Sequence, residues 1–346
     1  MLARGLPKEE FEVHVCALTR EGPLAASLTD KGIPIHCIGK RGKIDPLAFL
    51  RLTALMRRLQ PDLVHTWIFA ANAYGRAAAL RAGVRTIVGG ERCVDPWKNW
   101  WEFAIDRLLA KRSQRIVTNS SGVREFYARH GIAASKFEVI PNGIDATQRE
   151  SLKTRSTWAE ELDIPESANW TGAIGRLWPQ KRLKDVMSAL DVIKVVRDDV
   201  FLLIVGDGPD RAKLERFAWQ LKLEDCVRFL GERSDVPALL PHLSLSLLAS
   251  GYEGQSNAIM ESMAAGLPVI ASDIPGNRDL IIEGETGYFF PVGDRGEMAR
   301  CWQRILSQPD LAKRLGEQGA RRMREEFTID QMVSRHGALY RRLIQR

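Results

Sequence analysis

The sequence predicts an α/β chain built from two doubly wound domains. Three observations carry that prediction. Over its first ~140 residues the chain alternates short apolar runs with stretches whose apolar residues recur at three-to-four spacing. A cluster of turn-forming residues, Pro141-Asn142-Gly143-Ile144-Asp145, then breaks the alternation. A second series of apolar runs separated by helical stretches follows, from Trp170 to Phe290. A length of 346 residues fits about two domains.

Taken in order, Phe11 to Leu18 and Ile33 to Ile38 are expected strands. Asp45 to Leu59 is an expected helix, with apolar residues at three-to-four spacing. Pro61 to Trp67 is a strand running into a loop, and Asn72 to Arg81 a helix of small residues. Arg85 to Arg92 is a strand containing the pair Gly89-Gly90, Trp100 to Lys111 a helix, and Arg115 to Ser121 a strand with a capping loop. Val123 to His130 is a helix and Phe137 to Ile140 a strand. This βαβα order implies a parallel sheet. After the break, the polar stretch Ala146 to Asn169 is expected to be a linker and connecting segment. Strands are then expected at Trp170–Ile174, Phe201–Val205, Val227–Leu230, Leu243–Leu248, Val269–Ala271 and Gly287–Phe290, with a helical tail from Arg295. The expected domains are 1–145, joined by a final helix at about 328–346 that crosses back, and 146–327. Two Rossmann-like domains would face each other across a cleft, with ligands at the carboxyl ends of the strands.

Composition excludes several classes. No run of 18 apolar residues suggests a membrane span, and the first residues lack the apolar region of a signal peptide. Cys16, Cys37, Cys93, Cys226 and Cys301 are scattered and form no C-x-x-C pair, which points to reduced thiols and a cytoplasmic location. No His/Cys cluster has metal-ligand spacing, so no metal is expected. Residues 1–145 hold 22 Lys+Arg against 14 Asp+Glu, while the remainder holds 28 against 29. The basic half suits an acidic acceptor or the inner face of an anionic membrane, or is a plain solubility charge. No nucleic-acid-binding motif is visible. Trp97, Trp100 and Trp101 are either core packing with one exposed ring, or an acceptor platform or membrane-interface anchor.

The most informative segment is Ser250 to Ile270, which holds Glu253 and Glu261 eight positions apart. Gly251 and Gly254 mark a loop, Ser256 and Asn257 suit a helix N-cap, and Gly266-Leu267-Pro268 ends the helix. Glu253 is thus expected just before a helix start and Glu261 two turns inside it. A helix start suits a phosphate, and a carboxylate on either side suits hydroxyls, which together fit a nucleotide-sugar. Isolated glutamates are usually solvated charges, and the Gly-rich lead-in and cap weigh against that here. A second cluster, Gly175-Arg176-Leu177-Trp178-Pro179-Gln180-Lys181, places two cations five apart after a strand, as a diphosphate would require.

These two segments resemble the E-x7-E and G-R-L-x-x-x-K elements of the retaining glycosyltransferases of family 4, which have the GT-B fold. The resemblance implies that Glu253 contacts the transferred sugar, Glu261 the ribose, and Arg176 and Lys181 the donor diphosphate. Gly175, Gly254, Gln255, Ser256 and Asn257 would line the phosphates. Gly206-Asp207-Gly208-Pro209 is similar to a family loop close to the nucleotide, and backbone around Arg228 would frame the base. Asn142-Gly143-Ile144-Asp145 resembles the interdomain hinge. On the acceptor or sugar side, His65 lies on a strand that in the family often carries H-x-H, with Trp67 standing where a second His is common. Glu91 and Arg92 lie where relatives carry a His, and either is expected to substitute for it.

The family pattern opens with a strand and Gly-rich loop, and residue 1 here falls inside the helix after them. The resemblance implies transfer of a hexose from a nucleotide-diphosphate sugar, UDP by family-level expectation, to a lipid-linked or surface glycan precursor, with no cofactor and no metal. Two other readings stay open: a binding-only protein that holds donor without transfer, and a GT-B-type sugar-nucleotide 2-epimerase.

Overall fold

A computed structural model of the chain describes residues 1–146 and 153–345. It divides into two compact units, Met1–Gly143 with Ile329–Arg346, and Ile144–Thr328.

The first unit contains a two-stranded parallel sheet, β1 (Val15–Ala17) and β2 (Ile35–Cys37). A separate four-stranded parallel sheet follows, ordered β3 (Leu63–Trp67), β4 (Thr86–Glu91), β5 (Arg115–Thr118) and β6 (Phe137–Val139). β4 is buried along its whole length, as the centre of a parallel sheet should be. β3 pairs on one side only and is largely half-buried. The expected first strand is cut to three residues, because Phe11 and Val13 turn instead toward the final helix, Ile329–Ile344. There they join an apolar cluster with Leu6, Val333 and Tyr340, and Phe11 meets Tyr340 edge-on at 6.2 Å.

Three helices follow β2, β3 and β4. Helix Pro46–Leu59 is capped by the Asp45 carboxylate, which accepts from the Ala48 amide at 2.9 Å. Helix Phe69–Ala82 begins three residues before the expected Asn72 and ends at Gly83. Helix Trp100–Arg112 starts with a capping box, in which the Asn99 amide donates to Glu102 at 2.7 Å.

The second unit holds a six-stranded, all-parallel sheet ordered β12 (Gly287–Phe290), β11 (Val269–Ser272), β10 (Leu245–Leu248), β7 (Asn169–Ile174), β8 (Val200–Val205), β9 (Val227–Gly231). The order runs outward from β7 in one direction and from β10 in the other. The boundary between β7 and β10 is therefore the topological switch point, where the loops after neighbouring strands diverge and leave a crevice. The core is apolar on both sheet faces, one packed by Val186, Leu190 and Trp302, the other by Trp158, Trp170 and Leu243.

The expected linker differs from the structure. Residues 147–152 lie outside the described residues, but Arg155–Leu162 is a helix capped by Thr154. Its Trp158 is fully buried, and the Arg155 guanidinium donates to the carbonyls of Glu166, Ala168 and His242. The segment belongs to the second unit's core. Where the chain enters and leaves that unit, the Ile144 amide donates to the Phe327 carbonyl at 2.8 Å and Ile144 bridges Thr328. The final helix then rejoins the first unit.

Candidate functional site

The two loops singled out by sequence leave the strands that flank the switch point, β7 and β10. Both are held by backbone. Gly175 donates its amide to Val205 at 2.9 Å, and Leu177 to Asp207 at 2.9 Å, so the 175–177 and 206–208 segments lie against each other. This approach requires glycine at 206: its φ is +131°, and an added Cβ would sit 2.1 Å from the Gly175 carbonyl oxygen. The 179–181 turn is tied to the second loop, because Gly251 donates to the Gln180 carbonyl at 2.9 Å and the Gln180 side chain donates to the Tyr252 carbonyl at 2.7 Å.

These ties bring Lys181 and Glu253 together. The Lys181 ammonium lies 2.6 Å from a Glu253 carboxylate oxygen, with side-chain exposures of only 15% and 11%. Helix Asn257–Ala264 starts immediately beyond, capped by Ser256. Gly254, Gln255 and Ser256 are buried, while Asn257 is exposed. Glu261 sits inside that helix, and burial holds its carboxyl above the usual range. Arg176 is exposed, its guanidinium 5.5 Å from the centre of the Trp178 ring. A small recess at the switch point is lined by Ala173, Gly175, Lys181, Leu248 and Ala249. Arg228 turns elsewhere: its guanidinium donates to the carbonyls of Leu162, Asp163, Glu224 and Asp225, clamping two segments together.

Sequence reasoning missed the support of the Glu253 loop. The Ser272 hydroxyl donates to the Ser250 carbonyl at 2.6 Å, and the Asn277 amide donates to the Ser272 carbonyl at 2.8 Å, all three residues being fully buried. Gly276 abuts the loop so closely that a Cβ there would fall 1.6 Å from the Gly254 oxygen. The only signal was the run Ser272-Asp-Ile-Pro-Gly-Asn277 after a strand, legible as a turn but not as a partner.

In the first unit, His65 on β3 hydrogen-bonds the Tyr340 hydroxyl through Nδ1 at 2.7 Å and stacks on Trp67 at 4.0 Å. Burial, reinforced by His336 and Arg92, pushes its pKa well below the ordinary value, so the ring is neutral. His336, on the final helix, is likewise lowered by burial to about 4. Arg92 lies 5.4 Å from the Trp67 ring centre and donates to the Asn142 side chain.

Glu91, at the end of β4, is enclosed in a buried polar network. It accepts from Asn72 at 2.8 Å and lies 3.1 Å from the Tyr127 hydroxyl and 3.8 Å from the Lys98 ammonium. Lys98 in turn meets Asp106 at 2.9 Å, and Asp106 meets Arg76 at 2.8 Å. The Tyr127 hydroxyl has one proton and two carboxylate neighbours, Asp95 at 2.7 Å and Glu91 at 3.1 Å. If that proton goes to the nearer Asp95, Glu91 must carry its own to satisfy the contact. Burial pushes the Glu91 pKa up to about 7, against the pull of Lys98, which agrees.

The family profile described as Glycosyltransferase Family 4 matches residues 1–148, and that described as Glycosyl transferases group 1 matches 154–322. The UDP-Gal:alpha-D-GlcNAc-diphosphoundecaprenol alpha-1,3-galactosyltransferase of Escherichia coli is 28% identical over 326 residues, covering 88% of this chain and 83% of that protein. The N-acetyl-alpha-D-glucosaminyl L-malate synthase of Bacillus anthracis is 33% identical over 181 residues, and the match spans about half of each chain, 52% of this one and 47% of that. Among solved structures, Anabaena Alr3699/HepE in complex with UDP-glucose superimposes with a TM-score of 0.85 at 21% identity, covering 95% of this chain and 92% of that one. The switch-point loops, the two matched profiles and the shared architecture together make this chain a glycosyltransferase of family 4 with the GT-B fold.

Proposed function

We propose that the chain transfers a hexose, with retention of configuration, from a UDP-sugar to a hydroxyl of a lipid-linked or cell-surface glycan precursor. The observation that carries this reading is the meeting of Lys181 and Glu253 at the switch point, beside the start of the Asn257 helix. Lys181 and the exposed Arg176 hold the diphosphate, and the helix start and the loop amides from Gly254 to Asn257 add donors for it. Gly175, Gly206 and Gly208 let the backbone come close to the nucleotide, and the strand-end backbone near Arg228 frames the base. Glu261 binds the ribose hydroxyls and Glu253 the sugar. His65, Arg92 and Glu91 lie on the acceptor side.

Transfer then needs no nucleophile from the chain. The bond between the sugar C1 and the β-phosphate oxygen breaks, and the acceptor oxygen bonds to C1 on the same face. The acceptor proton passes to the departing phosphate oxygen. Arg176 and Lys181 stabilise the charge that grows there, and the proposal assigns that task to no metal ion. UDP is favoured by the name of the E. coli relative and by the UDP-glucose complex of the Anabaena protein. A lipid-linked acceptor is favoured by the same E. coli relative, and we place the chain in the cytoplasm, peripheral to the membrane's inner face. No helix among the described residues is long and apolar enough to cross a membrane.

A thermal-shift screen with UDP-, GDP- and ADP-sugars tests the donor site. Stabilisation by one nucleotide, lost in Arg176→Ala, is the expected result. No shift with any donor sinks the reading. A shift with neither transfer nor donor hydrolysis makes the chain a binding protein, and interconversion of donor epimers without acceptor makes it an epimerase.

A further inference from the structure

About half of the large apolar side chains left exposed among the described residues lie between Ile44 and Leu108. All but Leu80 and Leu108 collect at the starts of three helices. Ile44, Leu47 and Leu50 lead the Pro46 helix, Ile68 the Phe69 helix, and three tryptophans the Trp100 helix. Trp97 is 54% exposed, Trp100 80% and Trp101 45%. Phe69 joins the group, meeting Trp97 at 6.1 Å and Trp101 at 6.3 Å. The helices are neighbours in one layer, since the middle one packs against both others. β3 and β4 are neighbours in one parallel sheet, so the Phe69 and Trp100 helices start along its carboxyl edge, and the Pro46 helix, which follows β2 of the two-stranded sheet, packs against the Phe69 helix.

The charge on this layer is one-sided. Helices Pro46–Leu59 and Phe69–Ala82 contain no Asp or Glu, and the two acids of Trp100–Arg112, Glu102 and Asp106, are buried. Asp45 is spent on its helix cap, and one exposed carboxylate, Asp62, stands at the amino end of β3, close in sequence to the end of the first helix. Apart from the buried Arg76, the cations are exposed: Arg51 on the first helix and Arg107 on the third, with Arg57, Arg58, Arg81, Lys111 and Arg112 in the last turns of the three helices. Arg41 and Lys43 stand exposed beside Ile44. Helix Pro309–Glu326 of the second unit shows the ordinary alternative, with exposed Asp310, Glu317, Glu325 and Glu326 among its cations.

A row of exposed indoles and aliphatics on helices that carry seven exposed cations and no exposed carboxylate of their own, with Asp62 the one exposed acid at their far end, matches an anionic bilayer surface, apolar at acyl depth and negative at the phosphates. A protein partner of mixed charge would leave most of these cations unanswered. We propose that the outer face of these three helices docks on an anionic lipid surface, with Trp97, Trp100 and Trp101 entering the headgroup layer. This deepens the lipid-linked-acceptor reading above and rests on it for the identity of the lipid surface, but the binding needs no donor and is measured without one.

The test is flotation of the full chain with vesicles of phosphatidylcholine alone and with about one-third phosphatidylglycerol. Binding is expected to the anionic vesicles and to fall steeply as salt rises. The pair Trp100→Ser with Trp101→Ser should lower it roughly tenfold, and Arg107→Gln with Arg112→Gln roughly tenfold on the anionic vesicles alone. Trp219→Ser, an exposed indole of the second unit, should leave it unchanged. No binding to anionic vesicles, or an equal loss in Trp219→Ser, overturns the proposal. So does a dimer on sizing that the tryptophan pair dissolves, which would make the face an interface between copies, or displacement of the vesicles by polyuridylate, which would make it a nucleic-acid surface. UDP-sugar thermal shifts in the same variants stay as in wild type, so failure of the donor reading shows separately.

Discussion

Replacing Glu253 with Gln should tighten binding of UDP, although Glu253 is itself assigned to the donor site. The Lys181 ammonium is already paired, 2.6 Å from the Glu253 carboxylate and largely shielded from water. At an effective dielectric of about 20, two unit charges this close attract by about 6 kcal/mol. Desolvation of both offsets most of that. A diphosphate must still draw Lys181 away from this partner, and the carboxylate also repels the incoming phosphate. Glu253→Gln keeps the shape and a hydrogen-bonding group and removes both obstacles. We expect UDP to bind the variant tighter by about 1–2 kcal/mol, roughly five- to thirtyfold.

UDP-sugar should gain less, because the amide is a weaker acceptor for a sugar hydroxyl than the carboxylate. Transfer should fall, while the free protein loses about 1–2 kcal/mol of stability with the ion pair. Calorimetric dissociation constants for UDP and UDP-sugar, with a melting curve, measure all three effects. A UDP constant that is unchanged or weaker in Glu253→Gln would refute the placement of Lys181 against the diphosphate, because a cation that never leaves Glu253 gains nothing from its removal.

Other outcomes follow from the same geometry. Gly206→Ala should cost at least about 3 kcal/mol of stability, read as a lowered Tm, because its Cβ would overlap the Gly175 oxygen on a backbone with positive φ. Glu261→Ala should weaken donor binding by about 1–3 kcal/mol, and an unchanged dissociation constant removes it from the ribose. Arg228→Ala should lower Tm, since several carbonyls lose their donor, yet leave donor affinity alone. For Glu91 the folded state holds its proton more tightly than the unfolded chain. Its contribution is therefore fully present below about pH 4 and is lost as pH rises through about 7. Glu91→Gln should flatten stability against pH between those limits, and parallel denaturation profiles for wild type and variant would show that Glu91 carries no such proton.

Most of the second sheet was legible because buried parallel strands leave continuous apolar runs, and each expected strand there coincides with an observed one to within a few residues. The loops after β7 and β10 were legible for a different reason, since glycines mark them as turns: Gly175, which takes a φ of +147°, in the first, and Gly251 and Gly254 in the second. The helix Arg155–Leu162 was hidden among polar residues: Trp158, Ala159 and Leu162 have helical spacing, but Arg155, Ser156, Thr157, Glu160 and Glu161 surround them in sequence. The first strand was overcalled because Phe11 and Val13 are apolar for the sake of a helix more than 300 residues later in the chain. Alternation along a strand and attachment to a distant helix leave the same local pattern.

The same contrast separates the two candidate sites. Around Lys181 the positions are set by close backbone approach, and a Cβ at Gly206 or Gly276 would fall 2.1 Å or 1.6 Å from a carbonyl oxygen. Steric exclusion of that kind permits one residue type, so it leaves a glycine in the sequence, even where, as at Gly276, the segment it abuts is not legible. Around Glu91 the positions are set by charge balance. Arg76, Lys98, Asp106, Tyr127 and Glu91 come from three helices, a loop and a strand, and none is unusual where it stands. Removing Arg76, Lys98 or Asp106 strips a buried charge of a partner, at a cost of about 3–5 kcal/mol. The network is therefore as constrained energetically as the glycine contacts are sterically. Its constraint is shared among residues far apart in the chain, so no single segment displays it, and only Glu91, through its place at a strand end, was reachable from the sequence.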